Sequence, residues 1–287
     1  MPELPEVEVV KRSLEKSIKK LRLKKVIINN NSLRYKIYKK TFNPIINKKI
    51  LSIKRRSKYL LINFTKNSTL VVHLGMTGKF FVHNKSKVCK TSFYYHTKSK
   101  DKKHDHVIFY FNKDTNLIYN DVRRFGFIKI CQTNLIYENQ HIKLLGPEPL
   151  SKKFNLEYFK VYISNKKKKL KDILMDQRFV SGLGNIYVNE ILFLSKLNPR
   201  KSVKKLSERN IKKIIQHTKI ILKKSILLGG SSIKNFSNSE GKIGNYQQRF
   251  SVYGRKDEKC LKQECLGFVR KTVISNRASF YCDRCQK

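Results

Sequence analysis

Pro2 stands directly behind the initiator methionine, with Glu3 and Glu6 beside it in the opening Met1-Pro2-Glu3-Leu4-Pro5-Glu6. A second residue this small allows the methionine to be removed, which exposes a secondary amine. An α-amino group titrates near ~8, so a useful neutral fraction exists at physiological pH. A neutral secondary amine can attack a sugar C1′ and form a positively charged iminium, the logic of Schiff-base catalysis. The two carboxylates are placed to move protons. On its own the segment reads first as a charged, frayed chain end.

Cys260, Cys265, Cys282 and Cys285 make a C-x4-C-x16-C-x2-C pattern. Two close pairs with a ribbon-length spacer match a four-thiolate zinc site. Two disulfides are the alternative, but the opening MPELPEVEVV lacks the basic and apolar regions of an export signal. Four protein ligands leave Zn2+ no open position, so such a metal is structural. It would hold a finger too short to build its own core.

Gly182-Leu183-Gly184-Asn185 opens an apolar run from Ile186 to Leu194. Glycines ahead of a helix can present backbone N–H groups to a phosphate, although a helical corner also needs glycine for shape alone. His73, His104 and His106 lie in or beside strand-like segments and read individually as structural or solvated. The chain has no G-x-S-x-G, P-loop or H-E-x-x-H motif.

The elements that must position these groups follow from periodicity. Leu4, Val7, Val10, Leu14, Ile18 and Leu21 predict an amphipathic helix over 4–21. Residues 24–131 change to short β-rich runs, among them ILSIKR, YLLINF, TLVVHL and HVIFYF, separated by turn residues. This pattern predicts an antiparallel β-sandwich. Residues 153–163, 166–176, 185–196 and 207–228 return to helical spacing, and 230–249 is a polar loop rich in Gly, Ser and Asn. The fold class is thus α+β multidomain. The parts are an N-terminal sandwich domain over 1–133, a Pro-rich linker over 134–150, a helical domain over 151–250 and a zinc finger over 251–287.

Charge narrows the partner. Lys and Arg number 64 against 20 Asp and Glu, a net +44, and 40% of residues are hydrophobic. That is enough apolar content for a core, so wholesale disorder is excluded. No apolar run approaches the ~20 residues of a spanning helix. A soluble intracellular protein with a polyanionic partner is expected, since neutralising phosphates releases counterions. Part of the lysine excess reflects the codon bias of an AT-rich genome; Ala278 is the only alanine.

Taken together the segments resemble bacterial formamidopyrimidine-DNA glycosylase. The matching pieces are MPELPEVE, RRSKYLL (55–61), HLGMTG (73–78), KHDHV (103–107), DVRRFGF (121–127), LGPEPL (145–150), LMDQRFVSGLGNIYVNE (174–190), GGSSIKNF (229–236), QQRFSVYGRK (247–256) and RASFYCDRCQK (277–287), in family order. The resemblance implies an N-terminal helix on a β-sandwich, a helix–two-turn–helix domain and a zinc finger, with DNA in the cleft between them. It implies a bifunctional glycosylase and abasic-site lyase of base excision repair that removes 8-oxoguanine and formamidopyrimidines by β,δ-elimination. Leu4 favours it over the sibling family for oxidised pyrimidines, which usually begins MPEGPE.

The resemblance also assigns roles. Pro2 is the nucleophile and Glu3 its acid/base. Lys58 serves β-elimination and phosphate contact, and Arg277 serves δ-elimination. His73, His104, Arg123, Lys166 and Asn185 contact DNA. Glu6, Lys171 and Lys234 line or close the lesion pocket. Met76, Arg123 and Phe125 fill the stack vacated by the extruded nucleotide, two apolar groups and one cation. Read without the resemblance, Met76 and Phe125 are core residues. The partner is double-stranded DNA with oxidised purines or abasic sites, the protein a monomer, and its place the bacterial cytoplasm with the nucleoid. Two departures stand out: the first knuckle is C-x4-C where C-x2-C is usual, and Val122 replaces a common proline. A non-catalytic DNA-binding zinc protein is the competing class. A ribosomal-type RNA binder shares the charge and the ribbon but leaves the MPELPE start unexplained.

Overall fold

The computed structural model describes residues 1–84, 87–90, 102–231 and 246–287. Helix α1 spans Leu4–Ile18. Its start is fixed by a reciprocal capping box: the Glu6 side chain accepts from the Glu3 backbone N–H at 2.9 Å, and Glu3 accepts in return from the Glu6 backbone. The helix is three residues shorter than its apolar period suggested. The chain turns out at Lys20, which adopts φ +69°, and Leu21 packs on the core from outside the helix.

Strands β1 (Leu23–Ile28), β2 (Ile50–Arg56), β3 (Tyr59–Phe64), β4 (Ser68–His73), β5 (Lys79–Asn84), β6 (Lys87–Lys90), β7 (Asp105–Phe111), β8 (Thr115–Asn120) and β9 (Phe127–Gln132) follow. They form a five-stranded sheet in the order β1-β7-β8-β5-β6 and a four-stranded sheet in the order β2-β3-β4-β9. All pairings are antiparallel. Alternate side chains of both sheets share one core: Val26, Phe109 and Leu117 from the first, Leu60, Ile62 and Val72 from the second. The buried stripe Val7, Val10, Leu14 and Ile18 of α1 joins it. The expected sandwich is therefore present.

The second half is helical: α2 (Leu156–Ile163), α3 (Leu170–Met175), α4 (Asn185–Leu194) and α5 (Glu208–Leu227). Helix α4 is buried from Ile186 to Phe193. It packs on α3, α5 and the terminal hairpin of β10 (Val269–Ile274) and β11 (Arg277–Cys282). Composition alone gave no strands for that hairpin. Its turn residues Ser275 and Asn276 both take positive φ, which matches the right-handed twist of a tight two-residue hairpin.

The compact units are Met1–Lys143 with Leu228–Gln247, and Leu144–Leu227 with Gln248–Lys287. This differs from the division at 133, 150 and 250. Residues 134–150 are not a free linker. His141 packs on Tyr35 and Phe127 of the first unit, whereas the Gly146 N–H bonds to the Gln177 carbonyl and the Ser181 N–H to the Pro147 carbonyl in the second. The cysteine ribbon shares its unit with the helices. Among the described residues no helix is long and apolar enough to cross a membrane.

Candidate active site and thiolate ribbon

In the first unit the N-terminal amine is the centre. Burial lowers its pKa below the ordinary α-amino value; Glu3 and Glu6 oppose that shift, and Lys58 and Arg123 add to it. Pro2, Glu3 and Glu6 are all buried, and Glu3 is the N-cap of α1. A chain end held this way is not frayed. Its amine carries a larger neutral fraction at pH 7 than a solvated one.

Lys58 is brought there by a relay. Arg55 of β2 donates through Nε to Glu8 of α1 at 2.9 Å and through a terminal nitrogen to the Ser57 carbonyl at 2.9 Å. Ser57, at φ +55°, makes the two-residue turn into β3, so Lys58 lies buried at the turn. The helix that carries the amine thus fixes the lysine electrostatically closest to it.

A concavity of ≈ 550 Å³ opens in front, lined by Met1, Arg34, His73, Met76, Arg123 and Phe125 among others. His73 is neutral: burial, then Lys58, Arg34 and His141, bring its pKa down to about 4. Its Nδ1 accepts from the Gly75 N–H at 3.1 Å, which leaves Nε2 as the N–H donor. It can offer a phosphate a hydrogen bond but no charge, a refinement of its expected DNA-contact role. Its ring stacks on Phe127 at 5.6 Å.

Met76, Arg123 and Phe125 stand together. Arg123 lies over the Phe125 ring at 4.5 Å and a guanidinium nitrogen meets the Met76 sulfur at 3.0 Å. Phe125 is 48% exposed, unusual for a phenylalanine and contrary to a core assignment. The two loops interlock through glycine. Gly75 takes φ +63°, and a Cβ there would lie 2.4 Å from the Gly126 nitrogen. Arg34 and Arg124 also line the concavity; neither was singled out in the sequence, and nothing in their local spacing marks them. His104 is half-buried immediately before β7, its ring 6.5 Å from that of His106.

Glu6 and Lys171, which the resemblance assigns to the lesion pocket, are both buried and hydrogen-bonded. Glu6 spends its oxygens on Glu3 N–H and on the N–H and Oγ of Ser231, at 2.9, 2.7 and 2.9 Å. Lys171 is 1% exposed inside the second unit. Its ammonium donates to the Ala278 carbonyl at 2.9 Å and to Ser279 Oγ at 2.6 Å. Lys234 lies outside the described residues. Lys166 sits with its ammonium 4.0 Å from the Tyr162 ring centroid.

The second unit joins the glycine corner to the ribbon. Gly182 has φ +92°, and Gly184 is the N-cap of α4 with Asn185 as its first residue. The Asn185 amide donates to the Ala278 carbonyl at 3.0 Å, directly after the exposed Arg277. Asn189 accepts from the Phe280 N–H at 2.8 Å. Buried Glu190 collects the N–H groups of Ser251, Val252 and Tyr253 at 2.8, 3.0 and 2.9 Å. Burial still raises the pKa of Glu190, and those three donors oppose it. These two residues were missed. Polar side chains in the middle of the apolar Ile186–Leu194 run were the available signal.

The sulfur atoms of Cys260, Cys265, Cys282 and Cys285 all lie within 4.8 Å of one another. Cys260–Cys285 and Cys265–Cys282 are 3.8 Å apart and Cys265–Cys285 3.1 Å. These separations exceed a disulfide bond of about 2.05 Å. Tetrahedral Zn–S bonds of about 2.3 Å require sulfur–sulfur edges of about 3.8 Å. The quartet fits a structural zinc ion.

These features define a class: an α+β protein with a buried terminal amine on a sandwich, and a helical unit that carries a thiolate ribbon. The N-terminal domain of formamidopyrimidine-DNA glycosylase matches residues 1–128, and the H2TH domain of that enzyme matches 145–237. The chain is 42% identical over 288 residues to the formamidopyrimidine-DNA glycosylase of Rickettsia bellii, with all of both chains covered. A complex of Lactococcus lactis Fpg with abasic-site DNA superposes with TM-score 0.85 at 33% identity, covering 99% of each chain. A variant of the same protein with Fapy-dG DNA gives 0.86 at 34%, covering both chains fully. The chain belongs to the formamidopyrimidine-DNA glycosylase family.

Proposed function

We propose that this protein is a bifunctional DNA glycosylase and abasic-site lyase of base excision repair, acting on oxidised purines in duplex DNA. The observation that carries the reading is the placement of buried Pro2 and Glu3 at the head of α1, with buried Lys58 acting electrostatically on the chain end. With Met1 removed, the Pro2 nitrogen becomes the terminal amine. Its lone pair attacks C1′ of an extruded nucleotide and the base departs, leaving an iminium. Glu3 transfers protons at the opening sugar ring, and Lys58 supports β-elimination at the 3′ phosphate. Arg277 supports δ-elimination. Asn185 and His104 hold backbone phosphates, as do Lys166 and, by hydrogen bonding alone, His73. Met76, Arg123 and Phe125 fill the vacated stack. Bound zinc supplies only cross-linking, since its four thiolates leave no open position. The protein works as a monomer in the bacterial cytoplasm, with the nucleoid.

The test is reductive trapping. With an 8-oxoguanine:C duplex and borohydride, a covalent adduct is expected, and peptide mapping should locate it at Pro2. DNA binding without an adduct would overturn the enzyme reading in favour of a non-catalytic binding protein. Trapping on oxidised pyrimidines but not purines would move the substrate to the sibling class. Pro2→Gly, or a retained N-terminal tag, should suppress strand cleavage.

A further inference from the structure

Met76 and the pair Arg123 and Phe125 come from two separate loops, yet a buried chain of hydrogen bonds closes those loops on each other. The Arg123 N–H donates to Thr77 Oγ1 at 2.9 Å, and the Thr77 hydroxyl donates in turn to Asp121 Oδ1. Asp121 Oδ2 accepts from the Gly126 N–H at 2.8 Å and from the Tyr119 hydroxyl at 3.2 Å. The backbone of Asp121 is held as well. Its N–H reaches the His104 carbonyl at 3.1 Å, and its carbonyl receives the Arg124 N–H at 3.2 Å. The same carbonyl lies 2.8 Å from His106 Nε2. Thr77 and Asp121 are 44 residues apart in sequence, and both are buried. Neither lines the concavity that Met76, Arg123 and Phe125 face.

The carboxylate suits this position for a physical reason. Three donors converge on it from a turn, a strand end and a loop, and only an acceptor-only group meets all three. In a low-dielectric interior those bonds are strong, and losing one strands a buried donor. Their effect is to remove freedom from a half-exposed arginine and phenylalanine that would otherwise have to be ordered on insertion.

We infer that Thr77 and Asp121 are positioning residues: their hydrogen-bond chain locks the Met76 turn to the Arg123–Phe125 loop, so that the three side chains enter the DNA stack as one preformed wedge. The inference rests on the glycosylase reading above and deepens it. It separates the work of unstacking from the chemistry at the amine, which these residues do not touch.

The experiment compares two substrates for the full-length protein under single-turnover conditions. One is an 8-oxoguanine:C duplex, where a base must be unstacked; the other is a single strand with a preformed abasic site, where none must be. Thr77→Val keeps the shape and removes the bridging hydroxyl. Excision from the duplex should fall about tenfold or more, while borohydride trapping on the single strand stays within about twofold. Equal losses on both substrates would mean a general structural role and overturn the inference. So would any other pattern, including no loss at all. Tyr119→Phe, which withdraws one donor from Asp121, should shift the same ratio by less, and it decides the matter if Thr77→Val does not fold. A wild-type protein inert on both substrates would refute the glycosylase reading itself; an active one with an unaltered ratio in the variants would refute only the wedge lock.

Discussion

Glu6 and Ser231 are separated by 225 residues and joined by two hydrogen bonds to one carboxylate oxygen, from the Ser231 N–H at 2.7 Å and its hydroxyl at 2.9 Å. The other oxygen holds the Glu3 N–H, one residue from the proposed nucleophile. Gly230, at φ +87°, lies against Glu6 so closely that a Cβ there would meet Oε1 at 3.1 Å. One side chain therefore anchors both the start of α1 and the return of the chain after α5. Glu6→Gln presents an amide donor to one of these donors. It should cost about 1–3 kcal/mol of stability and slow trapping at Pro2, checked by denaturant unfolding and single-turnover borohydride capture.

His73 predicts a pH dependence. Its pKa is about 4 in the folded protein, against about 6.5 unfolded. Between these values the unfolded chain binds a proton that the native chain refuses. This contribution to stability is fully present above pH 6.5 and is lost as pH falls toward 4. The loss amounts to about 3 kcal/mol at most. His73→Gln can still accept from the Gly75 N–H, so it should flatten the unfolding free energy over that window. Urea titrations of both proteins between pH 4 and 7 measure the difference.

Val122 occupies the second position of a turn closed by the Arg124 N–H and the Asp121 carbonyl at 3.2 Å. That is where a fixed φ near −65° fits, which is why proline is at home there. Val122 is also half-exposed, so its side chain contributes little packing. Val122→Pro should stabilise the protein by about 0.4–1 kcal/mol through the unfolded state. A rise in Tm of a few degrees, with duplex excision preserved, is the expected outcome.

The groups legible in the sequence were those marked by local spacing. The cysteine quartet, the chain-end Pro2 and Glu3, the glycines ahead of α4 and the short β-rich runs of β2 to β5 each show within one short segment. The groups that escaped were those whose meaning lies in a distant partner. Thr77 reads as an ordinary turn residue until Asp121 is found beside it, and the bond from Lys171 to Ala278 spans 107 residues with no local mark. Glu6 was assigned by resemblance alone, and its bond to Ser231, 225 residues along the chain, has no local signal. Buried polar bonds between remote segments leave no period to detect.

Lys171 itself gives the last prediction. Its ammonium donates to the Ala278 carbonyl and Ser279 Oγ, the two residues after Arg277, and the Asn185 amide shares that same carbonyl. The strand that presents Arg277 is thus tied to the start of α4, which fixes the arginine proposed for δ-elimination relative to the proposed phosphate contact Asn185. Lys171→Met keeps the apolar stem and removes the charge and both of its hydrogen bonds, leaving Asn185 as the donor to the Ala278 carbonyl. A loss of about 2–4 kcal/mol is expected. The more telling effect is on products. If Lys171 acts through Arg277, the variant should accumulate the β-elimination end at the expense of the β,δ product, while trapping at Pro2 continues. Denaturing gels that resolve the two 3′ ends make the measurement. An unchanged product ratio in a folded variant would break the link between this lysine and the arginine it supports.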